Sequence, residues 1–72
     1  MTQLRFHREL YHPEAVAEAL SAFAAYAELT RADDDDAIVV EVAPRYPRHA
    51  RRIVGELQNY ALAKTIDRGG AR

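Results

Sequence analysis

The side chains that could carry out chemistry are few in this chain of 72 residues. It contains no Cys, which excludes thiol nucleophiles, disulfides and thiolate zinc sites. Ser21 is its only Ser and falls on a predicted helix with no His nearby in sequence, so a Ser-His-Asp arrangement has little support. The three histidines, His7, His12 and His49, are too scattered to indicate a metal site. We therefore expect a protein that is not an enzyme, with no catalytic, cofactor-binding or metal-binding residues.

The remaining polar groups have structural interpretations. Glu14 and Glu18 share one face of a predicted helix and are expected to be solvated. His7 falls on the polar side of a predicted strand and is expected to be a surface residue. The run Asp33–Asp36 lacks the Gly and the distal Glu of an EF-hand loop, so we interpret it as a solvated turn.

Four arginines gather around the start of the last predicted helix, with Tyr46 and His49 among them. They are Arg45, Arg48, Arg51 and Arg52. Basic side chains are unfavourable at a helix N-terminus, where the macrodipole prefers negative charge. The cluster could be a solvated face, could answer the Asp33–Asp36 run, or could bind an acidic protein, an acidic peptide or a nucleic acid. We favour the solvated face, and we favour an acidic partner over a nucleic acid.

Composition and charge limit the classes of protein further. The formal net charge is -1, so no whole-molecule field attracts nucleic acid or membrane. No run approaches the roughly 20 apolar residues of a membrane span, and the N-terminus lacks the apolar core of a secretory signal. We expect a cytoplasmic protein with a single domain over residues 1–72. Because so small a chain buries a limited core, association with a partner or a second copy would add stability.

The first half of the chain predicts a strand followed by a helix. Leu4, Phe6 and Leu10 alternate with polar residues, which is the period of a half-buried strand. His12-Pro13 ends the strand, and Pro at the first helical position suits a helix start, although His is a poor N-cap. The helix PEAVAEALSAFAAYA carries an apolar stripe at i, i+4, i+7 and i+11, formed by Val16, Leu20, Phe23 and Ala27.

The middle of the chain leaves two alternatives. Residues 27–32 either continue the first helix or form a short strand, and we favour a strand joined to AIVVEVA through the Asp-rich turn. A last helix is predicted from Pro47 to Ile66, ended by Gly69-Gly70, with Ala71-Arg72 expected to fray. The fold class is therefore α+β: a two-layer sandwich in the order β-α-β-β-α, with two helices on one face of a three-stranded sheet.

The last helix is apolar on two sides. At about 100° per residue one broad stripe should face the sheet, and its members are Ala50, Ile53, Val54, Leu57, Tyr60 and Ala61. Gly55, Asn59, Leu62 and Ile66 form a second line on roughly the opposite side. These four residues are either ordinary exposed positions or a contact face for another protein, and we favour the contact face, for a second copy or a different partner.

Three segments carry a family resemblance that spans most of the chain. They are a strand entering LYHPEAVAEALSAF, a strand IVVEVAP, and a closing helix with GELQNYALAKTI. In these features the chain resembles the small HxsD-like proteins, whose last segment has a Gly-Glu-Phe-x-Asn-Tyr-x-Leu pattern. Five positions match this pattern, and Leu57 stands where the family has an aromatic residue. The matching residues are Gly55, Glu56, Asn59, Tyr60 and Leu62.

HxsD-like proteins are associated with radical-SAM systems that modify peptides. The resemblance therefore implies a non-enzymatic accessory protein that binds a precursor peptide or a maturase. An exposed sheet edge could accept such a peptide as an added strand. Two alternatives remain: a structural module that forms a homodimer through the second line of the last helix, and a small nucleic-acid binder that uses Arg45, Arg48, Arg51 and Arg52.

Overall fold

The computed structural model describes residues 2–70 and has the predicted order β-α-β-β-α. Its elements are β1 (Thr2–His7), α1 (Pro13–Phe23), β2 (Ala27–Asp33), β3 (Ala37–Pro44), a short 3₁₀ helix (Pro47–His49) and α2 (Ala50–Asp67). The two-layer α+β fold class is confirmed, and residues 27–32 form a strand, as favoured. The predicted fraying of Ala71-Arg72 concerns residues outside those described. No helix within residues 2–70 is long and apolar enough to cross a membrane.

The sheet is built around β3. Its strand order is β1-β3-β2, and both neighbours pair with β3 antiparallel. The β-branched residues Ile38, Val40 and Val42 alternate along β3 and are completely buried on one face of the sheet. Since β3 is the centre, β1 and β2 are the two edges of the sheet within the described part of the chain.

Two helices cover the buried face of the sheet and pack against each other. Ala15, Val16 and Ala19 of α1 are completely buried. Their small side chains let the helix approach its neighbours closely. Leu57 and Ala61 of α2 are buried as predicted. α1 ends at Phe23 rather than at Ala27, because Ala27 instead begins β2.

α1 begins at a better cap than its sequence predicts. His12 has an extended backbone, and its Nδ1 accepts a hydrogen bond of 3.0 Å from the Glu14 N–H. This bond satisfies one of the donors that a helix start leaves unpaired. The His12 N–H donates in turn to Thr65 Oγ1 at 3.0 Å, and the Thr65 hydroxyl donates to the Ala61 carbonyl at 2.8 Å. Thr65 thus joins the end of α2 to the start of α1.

The C-terminal turn of α2 makes a second connection to α1. Gly69 has a φ of 86°, the left-handed conformation that closes many helices. Just before it, Arg68 reaches back to α1 and forms ion pairs with Glu14, at 2.9 Å, and with Glu18. Glu14 and Glu18 lie on a solvated face, as predicted, with side chains 69% and 41% exposed, and the helix packing brings the Arg68 guanidinium between their carboxylates.

Candidate functional site

The histidines and the single serine are dispersed in the structure. His7 ends β1, His12 caps α1, and His49 lies in the 3₁₀ helix. Ser21 is exposed on α1. Within residues 2–70, no group of three or more His, Asp or Glu side chains is arranged to hold a metal ion.

The Asp33–Asp36 run is paired within its own end of the molecule. Asp33 accepts hydrogen bonds from Arg31 at 2.8 Å and from Arg8 at 3.2 Å, and Asp34 accepts one from Arg5 at 3.1 Å. The Arg31 hydrogen bond is the main cause that lowers the pKa of Asp33, with Arg8 adding to it. The Arg5 hydrogen bond lowers the pKa of Asp34 in the same way. The first two Asp of the turn are therefore part of an ion-pair network at the surface.

The predicted basic cluster lies at the opposite end of β3. Arg45 follows β3 directly, Arg48 is in the 3₁₀ helix, and Arg51 and Arg52 are in the first turn of α2. The eight residues of β3 hold this end roughly 25 Å from the Asp-rich turn. The interpretation that the cluster answers the Asp33–Asp36 run is therefore wrong, because Arg5, Arg8 and Arg31 pair with that run instead.

Aromatic rings accompany the basic cluster. Tyr26 and Tyr46 are 55% and 61% exposed, unusual for large rings. With His49, Arg52 and Ile53 they line a shallow, mostly apolar pocket of about 180 Å³. We call this region, with Arg45, Arg48 and Arg51, the basic-aromatic end. In the described part of the chain Arg52 pairs with Glu56, whereas no carboxylate forms an ion pair with Arg45, Arg48 or Arg51.

The second line of α2 faces away from the core. Leu62 and Ile66 are 42% and 66% exposed, Asn59 is exposed, and Gly55 is half-buried. A Cβ added at Gly55 would meet no atom within 4 Å. Gly costs about 1 kcal/mol relative to Ala inside a helix, and no contact within the described chain requires it here. The structure thus places all four residues on one outer face and leaves their role as a contact face a prediction.

The free edge of β2 can be located from the pattern of backbone hydrogen bonds. Arg45 N–H donates to the Tyr26 carbonyl, and Asp34 N–H donates to the Ala37 carbonyl; these two pairs extend the β2–β3 register at either end. Bonded pairs alternate in an antiparallel ladder, so the even-numbered residues of β2 bond to β3. The backbone groups of the odd-numbered residues point outward, away from the sheet. These residues are Ala27, Leu29, Arg31 and Asp33.

A groove runs beside this edge, between β2 and the C-terminal part of α1. Its volume is about 440 Å³, and its walls include Leu20, Ser21 and Ala24 of α1 and Leu29 of β2. Leu20 and Leu29 are half-buried against the core. Leu29 is paired with Val42, which is completely buried, so its side chain lies on the helix side of the sheet. A strand added to β2 would place every second side chain in this groove.

The other edge is less suited to accept a strand. The same alternation leaves Gln3, Arg5 and His7 outward on β1, because Arg8 N–H donates to the Asp36 carbonyl and extends that ladder. The His7 carbonyl is already occupied by the N–H groups of Leu10 and Tyr11, at 3.0 and 2.9 Å. Two pockets adjoin β1: one of about 230 Å³ near Thr2, and one of about 730 Å³ whose lining residues are mostly charged, among them Arg5, Arg8 and Asp36.

The sequence predicted an open edge of the sheet as a peptide site, but it did not indicate which edge and did not predict the groove. The sequence does contain one signal for the groove: Leu20 and Leu29 are apolar residues of neighbouring elements, and both are only half-buried.

Comparison of the chain with models of known protein families, with curated proteins and with solved structures finds no match. The resemblance to HxsD-like proteins therefore stays a prediction.

Proposed function

We propose that this protein is a non-enzymatic accessory protein that binds an extended peptide by adding it as a strand to β2. The observation that carries the proposal is the groove of about 440 Å³ directly beside the outward backbone groups of β2. Main-chain hydrogen bonds to a free edge supply affinity, and a groove for alternate side chains supplies selectivity. The groove supports an apolar side chain on the peptide, because Leu20 and Leu29 form part of its walls.

Edge strands are commonly protected against uncontrolled pairing, and β2 is protected over only part of its length. Arg31 and Asp33 form an exposed ion pair toward the end of the strand, a typical protection for an edge. Ala27 and Leu29 carry no charge and lie beside the groove. The outward backbone of β2 is therefore most accessible for pairing where the groove is present.

The family resemblance supports the context of this proposal. In an HxsD-like role, the extended peptide would be the precursor that a radical-SAM enzyme modifies, and this protein would present it. The chemistry would belong to that enzyme, and the accessory protein would contribute recognition. Co-purification of this protein with a neighbouring maturase or precursor would support the role; retention of neither would remove its main support.

Replacing Arg31 with Pro tests strand addition at β2. The Arg31 N–H points outward, so Pro removes a donor for an added strand and leaves the ladder to β3 intact. We expect the affinity for an end-capped eight-residue peptide of alternating Thr and Val to fall about tenfold, the equivalent of roughly 1.4 kcal/mol. Fluorescence anisotropy with the labelled peptide measures the change.

Arg31→Ala is the matched control, because it also removes the ion pair with Asp33 but keeps the N–H. Amide hydrogen exchange adds a positional readout. Peptide should slow exchange at Leu29 and Arg31, whose N–H groups point outward, more than at Thr30 and Ala32, which already bond to β3. Equal peptide affinity for Arg31→Pro and Arg31→Ala would contradict strand addition at this edge.

A second candidate function is self-association through the outer face of α2. The observation that favours it is the sequence of side-chain sizes along this face, which begins at a glycine and ends at an isoleucine. Two antiparallel α2 helices related by a two-fold axis between Tyr60 and Ala61 would set Gly55 of one copy against Ile66 of the other. The position without a side chain would then receive the most exposed apolar side chain of the line. We propose a second copy of this chain as the occupant of this face.

Leu62→Glu tests this interface, because a carboxylate on the line would be buried without a partner. Light scattering over a range of concentrations should show a two-copy mass for the original protein and 8.1 kDa for the variant. Leu10→Glu is the control, since Leu10 is 63% exposed and lies outside α2. A single-copy mass for the original protein at every concentration, or a two-copy mass that survives Leu62→Glu, would rule out this contact.

A further inference from the structure

The orientation of the bound peptide and the charge of one of its ends follow from the position of the groove. This inference rests on the proposed addition of a peptide to β2. We infer that the peptide runs antiparallel to β2 and carries acidic residues on the C-terminal side of its paired segment.

The direction follows from the sheet itself. Both described strand pairs are antiparallel, and antiparallel pairing is slightly more stable per residue than parallel pairing. In β2, the N–H and C=O of Leu29 point to the same side, as do those of Arg31, so each residue can exchange both hydrogen bonds with a single residue of an antiparallel strand. The C-terminal side of such a strand lies next to Ala27, where β2 begins.

The acidic residues at the C-terminal side of the peptide are inferred from the arginines of the basic-aromatic end. Arg45 lines the groove, and its Nη2 donates to the Ala24 carbonyl at 3.3 Å, which holds the guanidinium at the mouth. Arg48, three residues further along the chain in the 3₁₀ helix, also forms no ion pair within residues 2–70. Arginine binds carboxylates through paired N–H donors, so acidic residues leaving the groove would meet suitable partners.

The small pocket between Tyr26 and Tyr46 favours a peptide that also has an apolar side chain near its acidic residues. Tyr46 is the residue after Arg45, and Tyr26 directly precedes β2, so the pocket continues from the same end of the groove. Ile53 contributes to its mostly apolar lining. An acidic segment with one apolar side chain would use both the guanidinium groups and this pocket. A small apolar pocket suits one side chain of a peptide, whereas a nucleic-acid strand would instead stack its bases on the exposed rings, which the oligothymidine in the test below detects.

Two end-capped peptides of identical composition test the inference. One is Lys-Lys-Thr-Val-Thr-Val-Thr-Glu-Glu, and the other places the two Glu first and the two Lys last. The first should bind about tenfold more tightly at low salt, and the difference should shrink as salt screens the charges. Arg45→Gln should reduce the difference severalfold, whereas Arg45→Lys, which keeps the charge, should preserve more of it.

The outcomes separate this inference from the proposed function. Equal affinity of the two peptides, or tighter binding of the second, overturns the orientation and charge but leaves strand addition standing. Binding of neither peptide, nor of the uncharged Thr-Val peptide, overturns both proposals. If a twelve-nucleotide oligothymidine binds more tightly than either peptide and loses affinity with Arg45→Gln, the basic-aromatic end is a nucleic-acid site and the inference is overturned.

Discussion

Phe6→Ala is expected to lower the free energy of unfolding by about 3–5 kcal/mol, the usual cost of removing a buried aromatic side chain. Phe6 is 1% exposed, and Tyr11 packs edge-on against its ring with centroids 5.0 Å apart. The substitution removes that aromatic pair and leaves a cavity in the core. A chain of this size has a total stability of about 4–11 kcal/mol, so the variant should be largely unfolded or close to it at room temperature. Urea unfolding followed by circular dichroism measures the loss.

Phe6→Leu is the matched control. It keeps most of the buried apolar volume but loses the ring, so it should cost clearly less than Phe6→Ala. If Phe6→Ala is no less stable than Phe6→Leu, the site can collapse around the smaller side chain and does not have the central place in the core that its burial indicates.

Thr65→Val is expected to cost about 1–3 kcal/mol, the penalty for leaving a buried hydrogen-bonding group without its partner. The Thr65 side chain is the acceptor for the His12 N–H, and the residue is 2% exposed. Valine has nearly the same shape but offers no acceptor. The contact that joins the start of α1 to the end of α2 would be lost. Thermal unfolding gives the loss, and faster amide exchange at His12 shows where it arises.

Thr30→Val provides the control, because it is the same chemical change at an exposed position on β2. Its effect on the free energy of unfolding should lie within about 0.5 kcal/mol, as for most surface substitutions. Equal effects at Thr65 and Thr30, or unchanged exchange at His12 in Thr65→Val, would contradict the role assigned to the Thr65 hydroxyl.

Local patterns in the sequence predict the elements well. Alternation of apolar and polar residues identifies β1, and β-branched residues identify β3. The predicted strand was too long, because β1 ends at His7 and Leu10 is 63% exposed beyond it. The 3.6-residue period separates the two lines of α2, and the structure buries Leu57 and Ala61 while it exposes Leu62 and Ile66. Both patterns work because the position of a residue within its helix or strand determines the face on which its side chain lies.

The candidate binding sites were predicted only in part. The four arginines were recognised as a cluster and a solvated face was favoured for them. The alternative that they answer Asp33–Asp36 is wrong, because β3 separates the two groups along its whole length. The groove beside β2 was not predicted at all. Its walls come from the C-terminal part of α1 and from β2, and the distance and angle between those elements depend on how α1 packs on the sheet.

The sequence by itself determined β1, β3, the apolar stripes of the two helices and the outer line of α2, because the periods of helix and strand are local properties of the backbone. It favoured a strand over residues 27–32 without excluding a longer first helix, and the structure shows the strand. The tertiary structure decided which strand edges stay open, which charges pair, and that Thr65 binds the His12 N–H. Thr65 and His12 are 53 positions apart in the chain, as Arg68 and Glu14 are 54 apart. Contacts over such separations arise only when both helices pack on the same sheet, so no local pattern encodes them.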